Sequence, residues 1–346
     1  NINAVVLQSR VTGFDMKREH TWLDIMPTFI AYGVGMGLHL PLTTGMETIL
    51  IPKFDANKMD ELILKHKANH IIGVPSHWGS VISSKKMKNK DLSFIIAPTV
   101  GGDAMLTSLE EDVNQFLEEH NCDWQVVKGY GMTEQTGGVA GTLRENNQIG
   151  SVGVPFVKTV ISIFNPETNE ELGYGEEQKG EICITGPNTM LRYFANEEAT
   201  KSALDNEGWL HTGDLAKIDK DGFIFITGRK KYVIVLKNGK NVYPEELEIL
   251  VNKITGVTES FVYGKLEDDG DYKICAKIVY DKEIIKDVYG LEDKNEIKDQ
   301  LWQEVKNVNK TMPTYKYIKE IIVTDEELIK TTTRKIKRNE EMKRLS

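Results

Sequence analysis

The stretch FIIAPTVGGDAMLTSLEEDVNQFLEEHNCDWQVVKGYGMTE, residues 94–134, decides the fold. Phe94 to Val100 is an apolar run that predicts a strand and ends in Gly101-Gly102-Asp103. Ser108 is placed to cap a helix whose apolar positions include Val113, Phe116 and Leu117, and Trp124 to Val127 predicts the next strand. Strand, helix, strand with glycines at the strand ends is the pattern of a parallel α/β sheet, whose ligands sit beyond the carboxyl ends of the strands. That reading puts Gly101 and Gly129 at a ligand rim.

Upstream, Asp24 to Ile51 is apolar and glycine-rich, Asp55 to His70 predicts an amphipathic helix, and Ile71 to Val74 a short strand. Downstream, Ile161 to Ile226 alternates in short strands with turns at Asn165-Pro166, Gly173, Gly180 and Asp221-Gly222, the pattern of an antiparallel lobe. From Tyr232 onward a helix Glu245 to Asn252 opened by Pro244, strands Ser260 to Tyr263 and Lys273 to Tyr280, a helix around Glu296 to Lys306 and a strand Ile318 to Val323 predict a small α+β domain. The expected architecture is α/β. A large N-terminal domain, residues 1–227, carries a parallel α/β sheet and an antiparallel β-lobe, residues 228–231 form a hinge, and residues 232–346 form a small mobile domain with a charged, basic end from Lys330.

Composition narrows the partners. A net charge of -9 over 346 residues argues against nucleic acid, because phosphate contacts need clustered cations. Cys122, Cys183 and Cys275 are far apart, odd in number and without metal-ligand spacing, which fits a reducing cytoplasm and no disulfide framework. The apolar run Thr28 to Leu42 is broken by glycines, His39 and Pro41, and falls short of the ~18 residues of a membrane span, so it reads as buried core. Gly33, Gly35 and Gly37 lack the dinucleotide spacing and read as close packing. His66 and His70 are four apart, but Lys67 stands where a metalloprotease helix needs its glutamate. No Gly-x-Ser-x-Gly elbow is present. A small-molecule partner is expected, and a homodimer is compatible with these features.

Four clusters carry the polar chemistry. In Gly129-Tyr130-Gly131-Met132-Thr133-Glu134 the glycines admit a ligand to the backbone, Tyr130 offers a face for stacking on a base, Thr133 a donor to a phosphate, and Glu134 a hard oxygen for Mg²⁺. In Gly208-Trp209-Leu210-His211-Thr212-Gly213-Asp214, Asp214 can accept from both ribose hydroxyls. In Gly222 to Lys231, which includes Ile226, Arg229 offers a rigid fork of donors. The fourth is KTTTRKIKR, Lys330 to Arg338. Singly, each is also an ordinary glycine turn or a solvated basic tail.

Taken in order, with Asn238-Gly239-Lys240-Asn241-Val242-Tyr243-Pro244-Glu245-Glu246 between the third and fourth, these clusters resemble the adenylate-forming superfamily of acyl-CoA synthetases, peptide-synthetase adenylation domains and luciferases. GRKKYVIVLKNGKNVYPEELE, residues 228–248, and KTTTRKIKR look most like the fatty acyl-CoA synthetase branch, and the resemblance covers Trp22 to Arg338. It implies an ATP-dependent acid–thiol ligase that forms an acyl-adenylate and then an acyl-CoA, with ATP, Mg²⁺ and coenzyme A. An adenylation domain that loads a carrier protein and a non-catalytic AMP-binding remnant are the alternatives. By the resemblance, Tyr130 and the Gly101-Gly102-Asp103 backbone hold adenine, Thr133 the α-phosphate, Glu134 the metal and Asp214 the ribose. Gly129, Gly131, Met132, Ile226 and Arg229 complete the nucleotide site. Lys335 bridges the acid carboxylate and the α-phosphate, so that Lys335, Thr133 and Glu134 form the catalytic set. Lys231 is the hinge, and Lys237, Asn238, Gly239 and Lys240 shape the coenzyme A passage. The superfamily's TSGTTGxPKG-type phosphate loop is absent from the chain and is expected just before Asn1, so that the chain alone is expected to bind AMP or acyl-adenylate without making one. Ile30 stands where many relatives place histidine, beside the acyl pocket.

Overall fold

The computed structural model describes residues 1–173, 175–331 and 335–345. They fall into two compact units, Asn1–Ile226 and Thr227–Ser346.

The first unit is built on a seven-stranded sheet of β1 (Thr21–Asp24), β2 (Glu47–Leu50), β3 (His70–Gly73), β4 (Ala97–Val100), β5 (Val127–Met132), β6 (Gly137–Gly141) and β7 (Val154–Pro155), in the order β2-β1-β3-β4-β5-β6-β7. Neighbours from β2 to β5 run parallel, whereas β5, β6 and β7 run antiparallel. Helices Met59–His66, Pro75–Ile82 and Thr107–Glu119 cross over between the parallel strands. Ile63, Ile71, Ile72, Trp78, Val113 and Leu117 are buried in one core, so both faces of the parallel strands are covered.

Several expected bounds shift, each for a local reason. The helix expected over Asp55 to His70 is confined to Met59–His66, because Lys67 turns left-handed at φ 48° and His70 opens β3. His66 and His70 therefore share no helix face. Helix Thr107–Glu119 starts one residue ahead of Ser108, with Leu106 at the cap position. The strand expected over Trp124 to Val127 begins at Val127 and runs to Met132, so the glycine cluster lies in β5 and not after it. A Cβ on Gly131 would stand 2.0 Å from the Gly137 carbonyl oxygen, so only glycine lets β6 come this close. The apolar glycine-rich segment contains β1, a π-helical stretch Tyr32–His39 and β2, and its glycines do pack closely: a Cβ on Gly37 would lie 2.5 Å from the Asp24 carboxylate.

A second sheet holds β8 (Val160–Phe164), β9 (Glu171–Gly173), β10 (Gly175–Thr185), β11 (Leu210–Ile218) and β12 (Ile224–Arg229), ordered β12-β11-β10-β8-β9, with β11, β10, β8 and β9 antiparallel. The unit Thr227–Ser346 contains a hairpin of β13 (Ile234–Val235) and β14 (Asn241–Val242) and a sheet of β15 (Val257–Leu266), β16 (Tyr272–Tyr280) and β17 (Glu320–Thr324). Helices Pro244–Val251 and Lys294–Asn309 contribute Leu247, Val251, Leu301 and Val305 to its core. The basic end is not a loose tail: Arg338–Leu345 is a helix that buries Arg338 and Glu341. Among the described residues no helix is long and apolar enough to cross a membrane.

Two buried ionisable groups make stability pH-dependent in opposite senses. Asp24 is fully buried, with Oδ1 accepting from the Met26 N–H at 2.9 Å, and burial raises its pKa to about 6. His70, buried with Nε2 3.0 Å from His20 Nδ1, has its pKa lowered by burial to about 4. Above pH 6 the native state must hold an ionised Asp24, so Asp24→Asn is expected to stabilise at pH 7.5 by on the order of 2 kcal/mol, with the gain fading toward pH 4. Below pH 6.5 the unfolded state protonates His70 first, so stability falls toward pH 4, and His70→Phe is expected to flatten that slope. Urea denaturation of the three proteins at pH 7.5, 5.5 and 4 separates the two contributions.

Candidate active site

The first and second clusters meet in the unit Asn1–Ile226. Gly129, Tyr130, Gly131 and Met132 lie on β5, and Thr133 and Glu134 occupy the short 3₁₀ turn that leads toward β6. The Tyr130 hydroxyl donates to Asp214 Oδ2 at 2.7 Å, across 84 positions of sequence. Asp214 is buried on β11, at a turn held from both sides: its N–H donates to Thr212 Oγ1 at 3.0 Å, Thr212 donates to the Ile182 carbonyl at 2.8 Å, and the Gly213 N–H donates to Glu181 Oε1 at 2.9 Å. Gly213 sits at φ 71°, which a side chain would strain.

Glu134 is held by residues that the sequence reading did not single out. The Tyr193 hydroxyl donates to Glu134 Oε1 at 2.8 Å, and burial, followed by that hydrogen bond to Glu134, pushes the phenol up to about 12. The Met190 N–H donates to the Glu134 carbonyl at 2.7 Å, and buried Asn188 donates to the Gln135 carbonyl at 2.9 Å. The chain from 188 to 193 thus clamps the turn. A lone tyrosine after Leu191-Arg192 carries no signal of this in the sequence.

Gly101, Gly102 and Asp103 follow β4 as expected. The Gly101 N–H donates to the Gly73 carbonyl at 3.0 Å, the acceptor that the Tyr32 hydroxyl also reaches at 3.2 Å. Burial holds the Tyr32 phenol well above its ordinary range. A Cβ on Gly101 would meet the Tyr32 ring at 3.2 Å. Asp103 and Gly129 line one small cleft with Val100, Met105, Lys128 and Val152. Beneath it Lys128 is paired with Glu110, and both are buried. Lys128 Nζ also donates to the Gln148 carbonyl at 2.9 Å, and the Gly150 N–H donates to Glu110 Oε2 at 3.0 Å. Burial lowers the Lys128 pKa while Glu110 opposes the shift.

Ile226, half-buried, and Arg229 lie on β12, Arg229 within the unit Thr227–Ser346. In that unit Lys231 is exposed in the turn Lys230–Tyr232, its Nζ 4.9 Å from the Tyr232 ring centroid. Lys237 to Lys240 form the exposed turn between β13 and β14. The Lys237 N–H donates to Asp271 Oδ1 at 2.8 Å, the Lys240 N–H to Asn238 Oδ1 at 3.0 Å, Gly239 adopts φ 76°, and Lys240 Nζ lies 4.5 Å from the Tyr315 ring centroid. Lys335 is exposed and its backbone is pinned to Thr331, by its own N–H to Oγ1 at 3.1 Å and by the Thr331 N–H to its carbonyl at 2.8 Å. Thr332, Thr333 and Arg334 of the same cluster lie outside the described residues.

The model of the AMP-binding enzyme family matches residues 1–194, and the model of the AMP-binding enzyme C-terminal domain matches residues 231–346. The chain belongs to the AMP-binding enzyme family. It is similar to "Probable CoA ligase CCL5" of Humulus lupulus, 37% identical over 67% of this chain and 42% of that protein. It is also similar to "Long-chain-fatty-acid--CoA ligase" of Bacillus subtilis (strain 168), 33% identical over 70% of this chain and 42% of that protein. Among solved structures it resembles o-succinylbenzoate CoA synthetase of Bacillus subtilis in complex with its acyl-adenylate intermediate, at 25% identity and a TM-score of 0.79, over 97% of this chain and 63% of that chain. The chain spans less than half the length of these two curated relatives. The mixed α/β fold with its parallel and antiparallel sheets is the fold of these adenylate-forming enzymes.

The buried pair at the cleft gives a stability test. Lys128→Met leaves Glu110 buried without its cation and is expected to cost roughly 3–5 kcal/mol. Adding Glu110→Met should recover most of that loss, as read by urea unfolding with an unchanged m-value.

Proposed function

We propose that the protein is an ATP-dependent carboxylic acid:CoA ligase, which couples an acid to AMP and then passes the acyl group to the thiol of coenzyme A. The observation that supports this most is the Tyr130–Asp214 hydrogen bond, because it joins two clusters that are unremarkable singly into one polar site at the end of a parallel sheet. The CoA-ligase names of its relatives favour coenzyme A as the acceptor. A fatty acid is the acid class we favour, on the form of residues 228–248 and 330–338 and on the name of the Bacillus subtilis relative.

In this reading Tyr130 and the backbone of Gly101 to Asp103 hold adenine, with Gly129, Gly131 and Met132 lining the approach. Asp214, Ile226 and Arg229 hold the ribose side, and Thr133 donates to the α-phosphate. Glu134, a hard oxygen donor fixed by Tyr193, suits Mg²⁺, which binds through one or two carboxylates together with substrate phosphates. That ion would offset charge on the phosphates. The acid carboxylate attacks the α-phosphorus and pyrophosphate leaves. Lys335 lies between the two anions, where a cation lowers the barrier by meeting charge that grows in the transition state. A swing about Lys231 then brings the Lys237–Lys240 turn to the site, and the thiol displaces AMP from the acyl carbon.

The test uses the full-length protein with ATP, magnesium, coenzyme A and a panel of fatty and aromatic acids. Acyl-CoA formation is expected. Lys335→Ala should lower acid-dependent pyrophosphate exchange by ~100-fold or more while thioester formation from supplied acyl-adenylate is retained. Equal loss in both half-reactions would remove Lys335 from the role, and no exchange with any acid would count against the ligase reading. Titration with AMP should show binding that Asp214→Ala weakens.

A further inference from the structure

One guanidinium in the unit Thr227–Ser346 lies between the segment that carries Lys335 and the residues beside the proposed hinge. Arg338 opens the last helix, three residues after Lys335, and is buried. It donates to Glu248 Oε2 and, at 3.2 Å, to the Val262 carbonyl, while its Nε lies 3.6 Å from Glu245 Oε1. Its Cζ lies 4.9 Å from the Tyr232 ring centroid and 5.2 Å from that of Phe261. Both carboxylates belong to helix Pro244–Val251, and Glu248 also accepts from the Val262 N–H at 2.7 Å.

The other ends of these contacts lie on the hinge. Burial raises the Glu245 carboxyl above its ordinary range, and the charges of Arg338 and then Arg229 oppose that rise. A Cβ on Gly228 would come within 3.2 Å of Glu245 Oε2, so the segment passes directly over that carboxylate. The Tyr232 ring is shared by Arg338 and by Lys231, each cation at 4.9 Å. On the far side of Arg338, Glu341 accepts from the Ile329 N–H at 2.6 Å and from Lys277 Nζ at 2.9 Å, and Lys330 pairs with Glu259. The loop that carries Lys335 is therefore fastened at both of its ends to the body of this unit.

We propose that Arg338 is a positioning residue that ties the Lys335 loop, through Tyr232 and Glu245, to the hinge at residues 228–231, so that the two are held and moved as one piece. The inference rests on the ligase reading for its consequence, since it is Lys335 and Lys231 that the reaction uses. Its geometry is independent of that reading. A lysine at 338 keeps the charge but cannot fork between Glu248, Glu245 and the Val262 carbonyl while stacking on two rings.

Hydrogen exchange of the full-length protein, compared with Arg338→Lys and Tyr232→Leu, tests the tie. Tyr232→Leu removes only the shared ring and leaves the buried charges paired. It is expected to raise exchange by ~10-fold in peptides covering 329–337 as well as in those covering 229–233, with β15 and β16 unchanged. Arg338→Lys should do the same to a larger extent and should lower pyrophosphate exchange more than thioester formation from supplied acyl-adenylate. If Tyr232→Leu leaves residues 329–337 as protected as in the parent, the tie does not exist, and this outcome decides even if Arg338→Lys fails to fold. If the parent makes no acyl-adenylate, the ligase reading fails, while the exchange result still judges the tie on its own.

Discussion

Strand β6 can lie against β5 only because Gly131 has no side chain: a Cβ there would sit 2.0 Å from the Gly137 carbonyl oxygen. That contact is where the sheet changes from parallel to antiparallel, and the consequences spread from it. It sends the chain around the Thr133–Gln135 turn, which carries Thr133 and Glu134, and it leaves Tyr130 placed so that its hydroxyl reaches Asp214 on the second sheet. Any side chain at 131 would push β6 away, and the Tyr193 and Asn188 clamps on that turn would lose their partners with it.

The parallel part of the fold was legible because its signals are local. The apolar run ending at Val100, the helix with Val113 and Leu117 on one face, and the glycines after β4 announce a crossover without reference to the rest of the chain. The alternating strands from Ile161 to Ile226 are legible for the same reason. What the sequence hides is tertiary. Val127 to Met132 holds two glycines in six residues, a composition that disfavours a strand, and only the close approach of β6 makes it one. Within the π-helical stretch Tyr32–His39, Gly37 likewise packs against the Asp24 carboxylate, a contact between residues whose types predict nothing about each other.

The polar residues of the site divide in the same way. Tyr130, Thr133, Glu134 and Asp214 stand in motifs and could be picked out by order and spacing. Glu181, Asn188, Tyr193 and the Lys128–Glu110 pair could not, because each acts through a partner 18 to 59 positions away and none lies in a recurrent pattern. Charge also misleads. KTTTRKIKR followed by acidic and basic residues has the composition of a solvated tail, yet Arg338 and Glu341 are among the buried groups of the molecule. Composition counts charges and not the opposite charges waiting at Glu248, Glu245 and Lys277.

Those buried ions bear on why the second unit is built as it is. Removing a guanidinium and several carboxylates from water is costly, and a well-packed apolar cluster of the same volume would hold the last helix at least as firmly. Burial pushes the Glu248 carboxyl up to about 7 even with Arg338 beside it, which is the mark of that cost. Apolar packing is tolerant of small slips, whereas a planar fork bonded to Glu248 and the Val262 carbonyl, and stacked between Tyr232 and Phe261, defines one orientation. In the role proposed for Lys335, the loop that carries it needs orientation more than it needs strength, because a misplacement of about 1 Å is enough to cost ~100-fold in rate. The ionic anchor three residues from Lys335, at the start of the helix Arg338–Leu345, fits that proposed need at the expense of stability.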